Sequence, residues 1–224
     1  MKALLVLVLA SCAGDIDAQW QLAHERIIAV RATPPHVLPG ATSTIDVFVG
    51  HVGSGVQVEP PTDAEVLSPV GLMNLIGADN ATITAPGLTQ LDQVRGDLGL
   101  GSNDPVPVEI QITADGFQAL KTVYIGDSAD NPTFTNLMID GSDTPDPSTT
   151  IAVAQNTNIP LHIDNDPTTY NINWLTSCGT MNDFDLNDAF INVAPTDTQD
   201  GQLAIVMRDQ SAGVAWQFWP IVAQ

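Results

Sequence analysis

The sequence predicts an all-β protein made of two antiparallel β-sandwich domains, with one short helix inserted in the first. Short stretches of alternating apolar and polar residues recur along the chain, and turns rich in glycine, proline and aspartate separate them, as is typical of half-buried strands. The 224 residues, of which 44% are hydrophobic, are enough to form one or two packed cores.

The N-terminus has the pattern of a secretory signal. Lys2 precedes an apolar run from Ala3 to Ala10, which is too short to span a bilayer. The quartet LASC at 9–12 resembles the bacterial lipobox, in which the cysteine is diacylated on sulfur and the signal is cut just before it. The resemblance implies a signal peptide over 1–11 and lipidation of Cys12, so that the chain's first partner is a membrane.

An ordinary secretory signal is the alternative, and it would leave Cys12 free or bonded to Cys178. A lone disulfide is unlike the dense frameworks of small secreted domains, which favours lipidation. Two acyl chains on one cysteine anchor a protein stably. In the sorting rule that the lipobox resemblance implies, aspartate directly after the cysteine retains a lipoprotein at the inner membrane. Ala13 occupies that position, so we expect the protein to be located in the cell envelope and, within it, at the outer membrane.

The lipidated N-terminus and tether are predicted over 12–22 and the first domain over 23–128. A strand-like run begins at Arg26, and in the next one Ile45, Val47 and Val49 alternate with Asp46 and Phe48. The remaining strands of this domain are predicted at 70–76, 81–84, 106–113 and 117–125. Between them, Leu88, Leu91, Val94 and Leu98 recur at helical spacing after Pro86, and glycines follow, which predicts one short helix.

Turn residues cluster in GDSADNPT at 126–133, and we predict the second domain over 129–224. Its seven predicted strands lie near 133–139, 149–154, 159–163, 168–175, 188–193, 202–208 and 213–222. Trp174 lies in mid-strand, where immunoglobulin-type sandwiches bury a core tryptophan. In the last hairpin, Leu203, Ile205 and Met207 on one strand and Val214, Trp216 and Phe218 on the next are predicted to form one buried face.

Four segments carry a family resemblance: RIIAVRATPPHVLPGATSTIDVFV, ALKTVYIGDSADNPT, INWLTSCGT and AIVMRDQSAGVAWQFW. They resemble uncharacterised acidic envelope lipoproteins of myxobacteria that carry tandem immunoglobulin-like domains. The stretch DNDPTTYNINW also resembles a strand pair of the related PKD-type domains. The resemblance implies two immunoglobulin-like sandwiches, and it implies no activity.

The charge of the chain excludes some partners. Six Lys and Arg against 26 Asp and Glu give a formal net charge of −20, which repels nucleic-acid phosphates. We therefore expect no nucleic-acid partner. The acids are scattered through turns, as on a soluble acidic surface.

A calcium loop is the main candidate site. In NDFDLND, oxygen ligands recur at Asp183, Asp185, Asn187 and Asp188, but the glycine and the glutamate of an EF-hand are missing. A looser calcium site shared with neighbouring loops is one interpretation, with ligands drawn from Asp140, Asp143 and Asp146 or from Asp164 and Asp166. Solvated turns that these side chains stabilise are the other.

Catalytic motifs are absent from the sequence. No two of the four histidines, at 24, 36, 51 and 162, are three or four residues apart, which argues against a zinc site. Cys178 lies in an acidic chain, which raises the pKa of a thiol, and no G-x-S-x-G motif occurs. We therefore predict a structural or protein-interaction module and no enzyme. The alternative is a calcium-dependent binder of carbohydrate or protein, and apart from calcium no cofactor is expected.

Overall fold

The computed structural model describes residues 18–53 and 55–224. The predicted signal peptide and Cys12 lie outside these residues. The chain first builds an N-terminal sandwich from eight strands: β1 (Arg26–Thr33), β2 (His36–Val37), β3 (Thr42–His51), β4 (Gly55–Glu59), β5 (Asp63–Ser68), β6 (Thr82–Thr84), β7 (Val106–Ala114) and β8 (Phe117–Ile125).

A C-terminal sandwich follows. Its strands are β9 (Met138–Ile139), β10 (Ser142–Asp143), β11 (Ile151–Val153), β12 (Ile159–His162), β13 (Tyr170–Thr176), β14 (Thr180–Asn182), β15 (Asp188–Asn192), β16 (Asp200–Asp209) and β17 (Val214–Ala223). Trp174 is fully buried in its core, as predicted.

Each sandwich consists of two sheets. In the N-terminal one, β1, β3 and β4 with β6 form one sheet, and β2, β8, β7 and β5 form the other. In the C-terminal one, the orders are β10-β9-β12-β15-β14 and β11-β17-β16-β13. Pairing is antiparallel except for two short edge pairs, β2 with β8 and β11 with β17, which are parallel. The predicted all-β class with immunoglobulin-like sandwiches is confirmed.

One helix, α1 (Leu88–Leu98), lies in the N-terminal sandwich and buries Leu91 and Val94, as predicted. It ends at Gly99, whose left-handed φ of 69° suits glycine. The predicted strand at 70–76 is wrong. Val70–Leu72 form a short 3-10 helix instead, with Leu72 buried, and only the end of the segment meets a strand, where Ile76 forms an isolated bridge with Ile83 of β6.

Each sandwich buries its own apolar core between its two sheets. One core joins both sheets of the N-terminal sandwich and another joins both sheets of the C-terminal sandwich. No described sheet combines strands from both sides of 126–133. The exact domain boundaries stay predictions. Among the described helices, none has the length and apolarity needed to cross a membrane.

Candidate functional site

A third apolar cluster joins the two sandwiches, and we call it the junction. It consists of Leu22, Ala29, Phe48, Val56, Leu175, Ala204, Val206, Val214 and Trp216, with Ile28 and Phe218 packed against it. Phe48 is fully buried and stacks on Trp216 at 5.4 Å and on Phe218 at 5.5 Å between ring centroids. Aromatic stacking of this kind adds about 0.5–1.5 kcal/mol to the free energy of area burial.

The junction corrects the prediction for the last hairpin. Leu203 pairs with Trp219 and Met207 pairs with Ala215, and these residues face the C-terminal core. Val214, Trp216 and Phe218 therefore point to the opposite face, toward the N-terminal sandwich. Both faces of β16 and β17 are buried. The six residues do not form one face, because the register between the two strands separates them.

Two arginine side chains in the junction contact residues of the opposite sandwich. The Arg31 guanidinium lies 4.1 Å from the centroid of the Trp216 ring and forms a two-point ion pair with Asp46, at 2.5 and 3.1 Å. Arg208 donates to Asn173 Oδ1 at 2.9 Å and to the Ile28 carbonyl at 2.8 Å. Burial lowers the pKa of Arg208. These contacts fix the orientation of the two sandwiches with charge-assisted hydrogen bonds.

Lys121 is the most unusual of these cations. It is only 5% exposed, and its ammonium donates to the Ala212 carbonyl of the C-terminal sandwich. Burial lowers the pKa of Lys121 to about 8, and Asp209 and Asp46 oppose this shift only through space. Lys121 and Arg208 line a groove of about 300 Å³ between the sandwiches.

Further hydrogen bonds complete the junction. Asn131 donates to the Ala32 carbonyl at 2.8 Å and accepts from the Val214 amide at 2.9 Å, so that it bridges the two sandwiches. His36 lies 2.9 Å from Asp127 Oδ1 through one ring nitrogen and 2.9 Å from the Ser211 carbonyl through the other. Both neighbours are acceptors, so the ring donates to both only when both nitrogens carry protons.

A cluster of one imidazole and three carboxylates lies near the start of the N-terminal sandwich, and we call it the His51 cluster. His51 Nδ1 lies 3.2 Å from Glu25 Oε2 and 3.5 Å from Asp115 Oδ2, while Nε2 lies 3.0 Å from Glu59 Oε1. The His51 side chain is 15% exposed. The hydrogen bond to Glu59 is the main cause that raises the pKa of His51 above its ordinary value, and Glu25 adds to it.

Local structure brings these four residues together. His51 ends β3 and Glu59 ends β4 of the same hairpin. Asp115 occupies the two-residue Asp-Gly turn between β7 and β8 at a φ of 47°. Glu25 precedes β1, and its other oxygen accepts from the Val52 amide at 2.9 Å. Sequence spacing missed the cluster because Glu25, the β3–β4 hairpin and Asp115 come from three different parts of the chain.

Gly50 allows the N-terminal segment to approach the cluster. A Cβ on Gly50 would lie 2.7 Å from both the Leu22 and the His24 carbonyl oxygens. Leu22 is fully buried in the junction, and its amide donates to the Thr176 carbonyl at 2.9 Å. The segment therefore passes over β3 in direct backbone contact, which places Glu25 beside His51.

His162 forms a second cluster of a different kind. Its Nδ1 lies 2.6 Å from Asp188 and its Nε2 lies 2.8 Å from Asp164. The two carboxylates raise the pKa of His162, with Asp188 the larger cause. Each nitrogen faces one carboxylate, so no metal-sized gap is shared between them. His162 therefore lies beside Asp164 as part of a hydrogen-bonded pair of carboxylates around one imidazole.

The predicted calcium residues follow one another through a turn, with Asp183 at a φ of 54°. Asn187 uses its side-chain amide to donate to the carbonyls of Ile163 and Asn165, and Asp188 binds His162. Among the described residues, only Glu25, His51 and Asp115 form a group of three acidic, His or Cys ligands close enough for one ion. Calcium at Asp183, Asp185, Asn187 and Asp188 stays a prediction.

The neighbouring aspartates stabilise their own turns. Asp146 accepts from the Ser148 amide and hydroxyl, and Asp166 accepts from those of Thr168. These hydrogen bonds lower the pKa of both carboxyls. Local turn bonds of this kind explain the abundance of Asp beside Ser and Thr in the loops.

Cys178 is buried, and burial raises the pKa of its thiol. The thiolate is the nucleophilic form, so a raised pKa disfavours reactivity at neutral pH. Cys178 therefore acts as a small apolar residue of the C-terminal core.

Comparisons with known proteins found no matching family model and no matching curated protein. Solved structures with tandem immunoglobulin domains align with most of this chain, at low sequence identity. The titin domains Z1Z2 in complex with telethonin are 15% identical, with 88% of this chain and 96% of that chain covered at a TM-score of 0.26. The tandem Ig repeats of Dlar are 11% identical, with 88% and 97% covered at 0.29.

Two bacterial structures also overlap. A SusE-like surface polysaccharide-binding protein of Bacteroides thetaiotaomicron is 12% identical, with 89% of this chain and 34% of that chain covered at a TM-score of 0.31. A nucleoside hydrolase-related protein of Saccharophagus degradans is 12% identical at 0.33, and the chain spans only 26% of its length. Overlaps of this size carry no argument about function, and the fold assignment rests on the sheets themselves.

Proposed function

We propose that this protein is a lipid-anchored envelope protein whose two sandwiches act together as one structural or protein-interaction module, without catalysis. The observation that carries the proposal is the junction. Phe48 and Leu22 are fully buried between the sandwiches, and cations bind backbone carbonyls across the contact. A junction with a buried aromatic core and charge-assisted hydrogen bonds favours a fixed arrangement over two freely linked domains.

The start of the described chain supports a position close to the membrane. The Thr176 amide donates to the Trp20 carbonyl at 2.9 Å, so the N-terminal segment packs on β13 before it enters β1. The stretch from Cys12 to Trp20 spans at most about 29 Å when fully extended. Acyl chains on Cys12 would therefore hold the junction, and with it both sandwiches, near the outer-membrane surface. In this arrangement the strongly acidic surface faces the partner.

Membrane fractionation of cells that express the full chain tests the anchor. Cys12→Ser should move the protein from the detergent-soluble membrane fraction to the aqueous fraction and leave the signal uncut by the lipoprotein peptidase. Cys178→Ser is the matched control, since it removes the other cysteine and should leave partitioning unchanged. Intact mass would show the added acyl groups directly. A Cys12→Ser protein that still partitions with detergent would overturn the proposed anchor.

In-cell crosslinking tests the module. A specific crosslinked partner that is retained by the wild type and lost when the two sandwiches are separated by Phe48→Ala would support a shared binding surface. A partner that binds the Phe48→Ala protein equally well would show that the two sandwiches act independently.

A further inference from the structure

The His51 cluster differs from a solvated acidic patch in its centre, which is an imidazole with two distinct nitrogens. Nε2 faces one carboxylate, that of Glu59 at 3.0 Å. Nδ1 faces two carboxylates, which come from different segments of the chain. One proton on Nδ1 lies along one hydrogen bond at a time, to Glu25 at 3.2 Å or toward Asp115 at 3.5 Å.

The distances around Nδ1 match metal coordination. Ligand atoms about 2.0–2.1 Å from a tetrahedral zinc ion lie about 3.3 Å from one another. The separations from Nδ1 to Glu25 Oε2 and to Asp115 Oδ2, 3.2 and 3.5 Å, are of that size, and all three ligand atoms lie within 4.8 Å of one another. Modest closure of the two carboxylates would complete a three-ligand set, which leaves a fourth position for water or a ligand.

Glu59 supplies the support that metal-binding histidines commonly have. A histidine that coordinates through one nitrogen donates its other N–H to a carboxylate or a carbonyl, which fixes the tautomer and orients the ring. In the tautomer that carries its proton on Nε2, the hydrogen bond to Glu59 does this here, and the lone pair of Nδ1 faces Glu25 and Asp115. Three carboxylates with one neutral imidazole carry a charge of −3, which a divalent cation reduces to −1.

We propose that Glu25, His51 and Asp115 bind a divalent transition-metal ion, with Glu59 as the residue that positions the imidazole. A site of one imidazole and two carboxylates suits zinc or manganese better than calcium, which prefers six to eight oxygen ligands. Bound metal would join the N-terminal segment at Glu25 to the β7–β8 turn at Asp115 and so stabilise the start of the chain beside its proposed anchor. The spacing rule for histidine pairs does not test a site of this composition.

Isothermal titration of the tag-free, chelator-treated full chain with ZnCl₂ tests the proposal. Excess Mg²⁺ in the buffer occupies isolated carboxylates without competing for the imidazole. We expect saturable binding of one zinc ion per chain. His51→Gln and Asp115→Asn should each weaken the affinity at least tenfold, and Glu59→Gln should weaken it by about 10- to 100-fold without changing the stoichiometry.

His162→Gln is the matched control, because His162 also contacts two carboxylates but through separate nitrogens. It should leave zinc affinity unchanged. Asp115→Asn guards against misfolding, since asparagine tolerates the same positive φ in the turn. The absence of saturable binding, or an equal loss of affinity in the His162→Gln and His51→Gln proteins, would overturn the proposal.

Discussion

Replacement of Lys121 by methionine should stabilise the protein at neutral pH. Methionine has a similar length and flexibility and carries no charge into the junction. Lys121 is 5% exposed, its ammonium donates to the Ala212 carbonyl, and in the described part of the chain it forms no ion pair. A buried cation without an adjacent carboxylate costs free energy that an apolar side chain avoids.

The pKa of Lys121 gives the magnitude. It falls from 10.5 to about 8 on burial. At about 1.4 kcal/mol per pH unit, this corresponds to a cost of about 3 kcal/mol while the amine stays charged. Loss of the hydrogen bond to Ala212 subtracts about 1 kcal/mol. We therefore expect the Lys121→Met protein to be more stable by about 2 kcal/mol at pH 7.

The pH dependence has a definite sign. The unfolded state holds the Lys121 proton more tightly than the folded state does, so the full cost is present below about pH 8. As the pH rises from about 8 toward 10.5, the unfolded state also loses this proton and the cost disappears. The stability advantage of the variant should therefore close by about pH 10. Titration of Cys178 affects both proteins equally and cancels in the difference.

Urea denaturation of both proteins at pH 7 and pH 10 measures the free energies of unfolding. Arg95→Met is the matched control, since Arg95 is 4% exposed but forms an ion pair with Asp92 at 3.0 Å. Loss of the Arg95–Asp92 ion pair in the Arg95→Met protein should lower the free energy of unfolding at both pH values. A Lys121→Met protein that is less stable at pH 7, or whose advantage is the same at pH 10, would refute the reasoning.

Further substitutions test the junction and the N-terminal segment. Phe48→Ala should lower the free energy of unfolding by about 3–5 kcal/mol and split one calorimetric transition into two, because the side chain is fully buried between the sandwiches. A single unchanged transition would contradict this. Gly50→Ala should cost about 1–3 kcal/mol and expose 18–25 to proteolysis, since its Cβ would lie 2.7 Å from two carbonyl oxygens. Gly96→Ala, in open space on α1, should instead stabilise by about 0.5–1 kcal/mol in thermal denaturation.

The sequence was most informative where one face of an element is buried. Helix α1 shows an apolar stripe and a glycine stop, and the structure places it as predicted. Residues 70–76 have the apolar content of a strand. In the structure, however, Leu72 is buried as part of a 3-10 turn and Leu75 is buried as part of the loop that follows it. Composition alone does not distinguish these outcomes, because no partner strand is visible in a local pattern.

The junction was missed for a related reason. In LAIVM at 203–207 and VAW at 214–216 the apolar residues are continuous, which is typical of strands buried on both faces. Each strand taken by itself shows a period of two, and the local pattern does not contain the register that places Leu203 opposite Trp219. Continuity of the apolar run was the available signal, and it predicts a second buried face on this sheet.

The candidate sites show what a local motif leaves out. Asp183, Asp185 and Asp188 are close in sequence, yet they do not form a three-ligand group with one another among the described residues. Glu25 and Asp115 are 90 positions apart, and the fold places both on one nitrogen of His51. A loop motif predicts ligands that share a turn, whereas a site between hairpins depends on which strands are neighbours.

The distribution of cations links these features to the acidity of the chain. Of six Lys and Arg residues, Arg31, Lys121 and Arg208 contact the opposite sandwich, in a protein with a formal net charge of −20. Two sandwiches that both carried only negative charge would repel one another at their contact. Cations placed in the junction offset this repulsion, and burial shields their attraction from salt more than it would on the surface. The junction therefore allows the rest of the surface to stay acidic while the sandwiches remain joined.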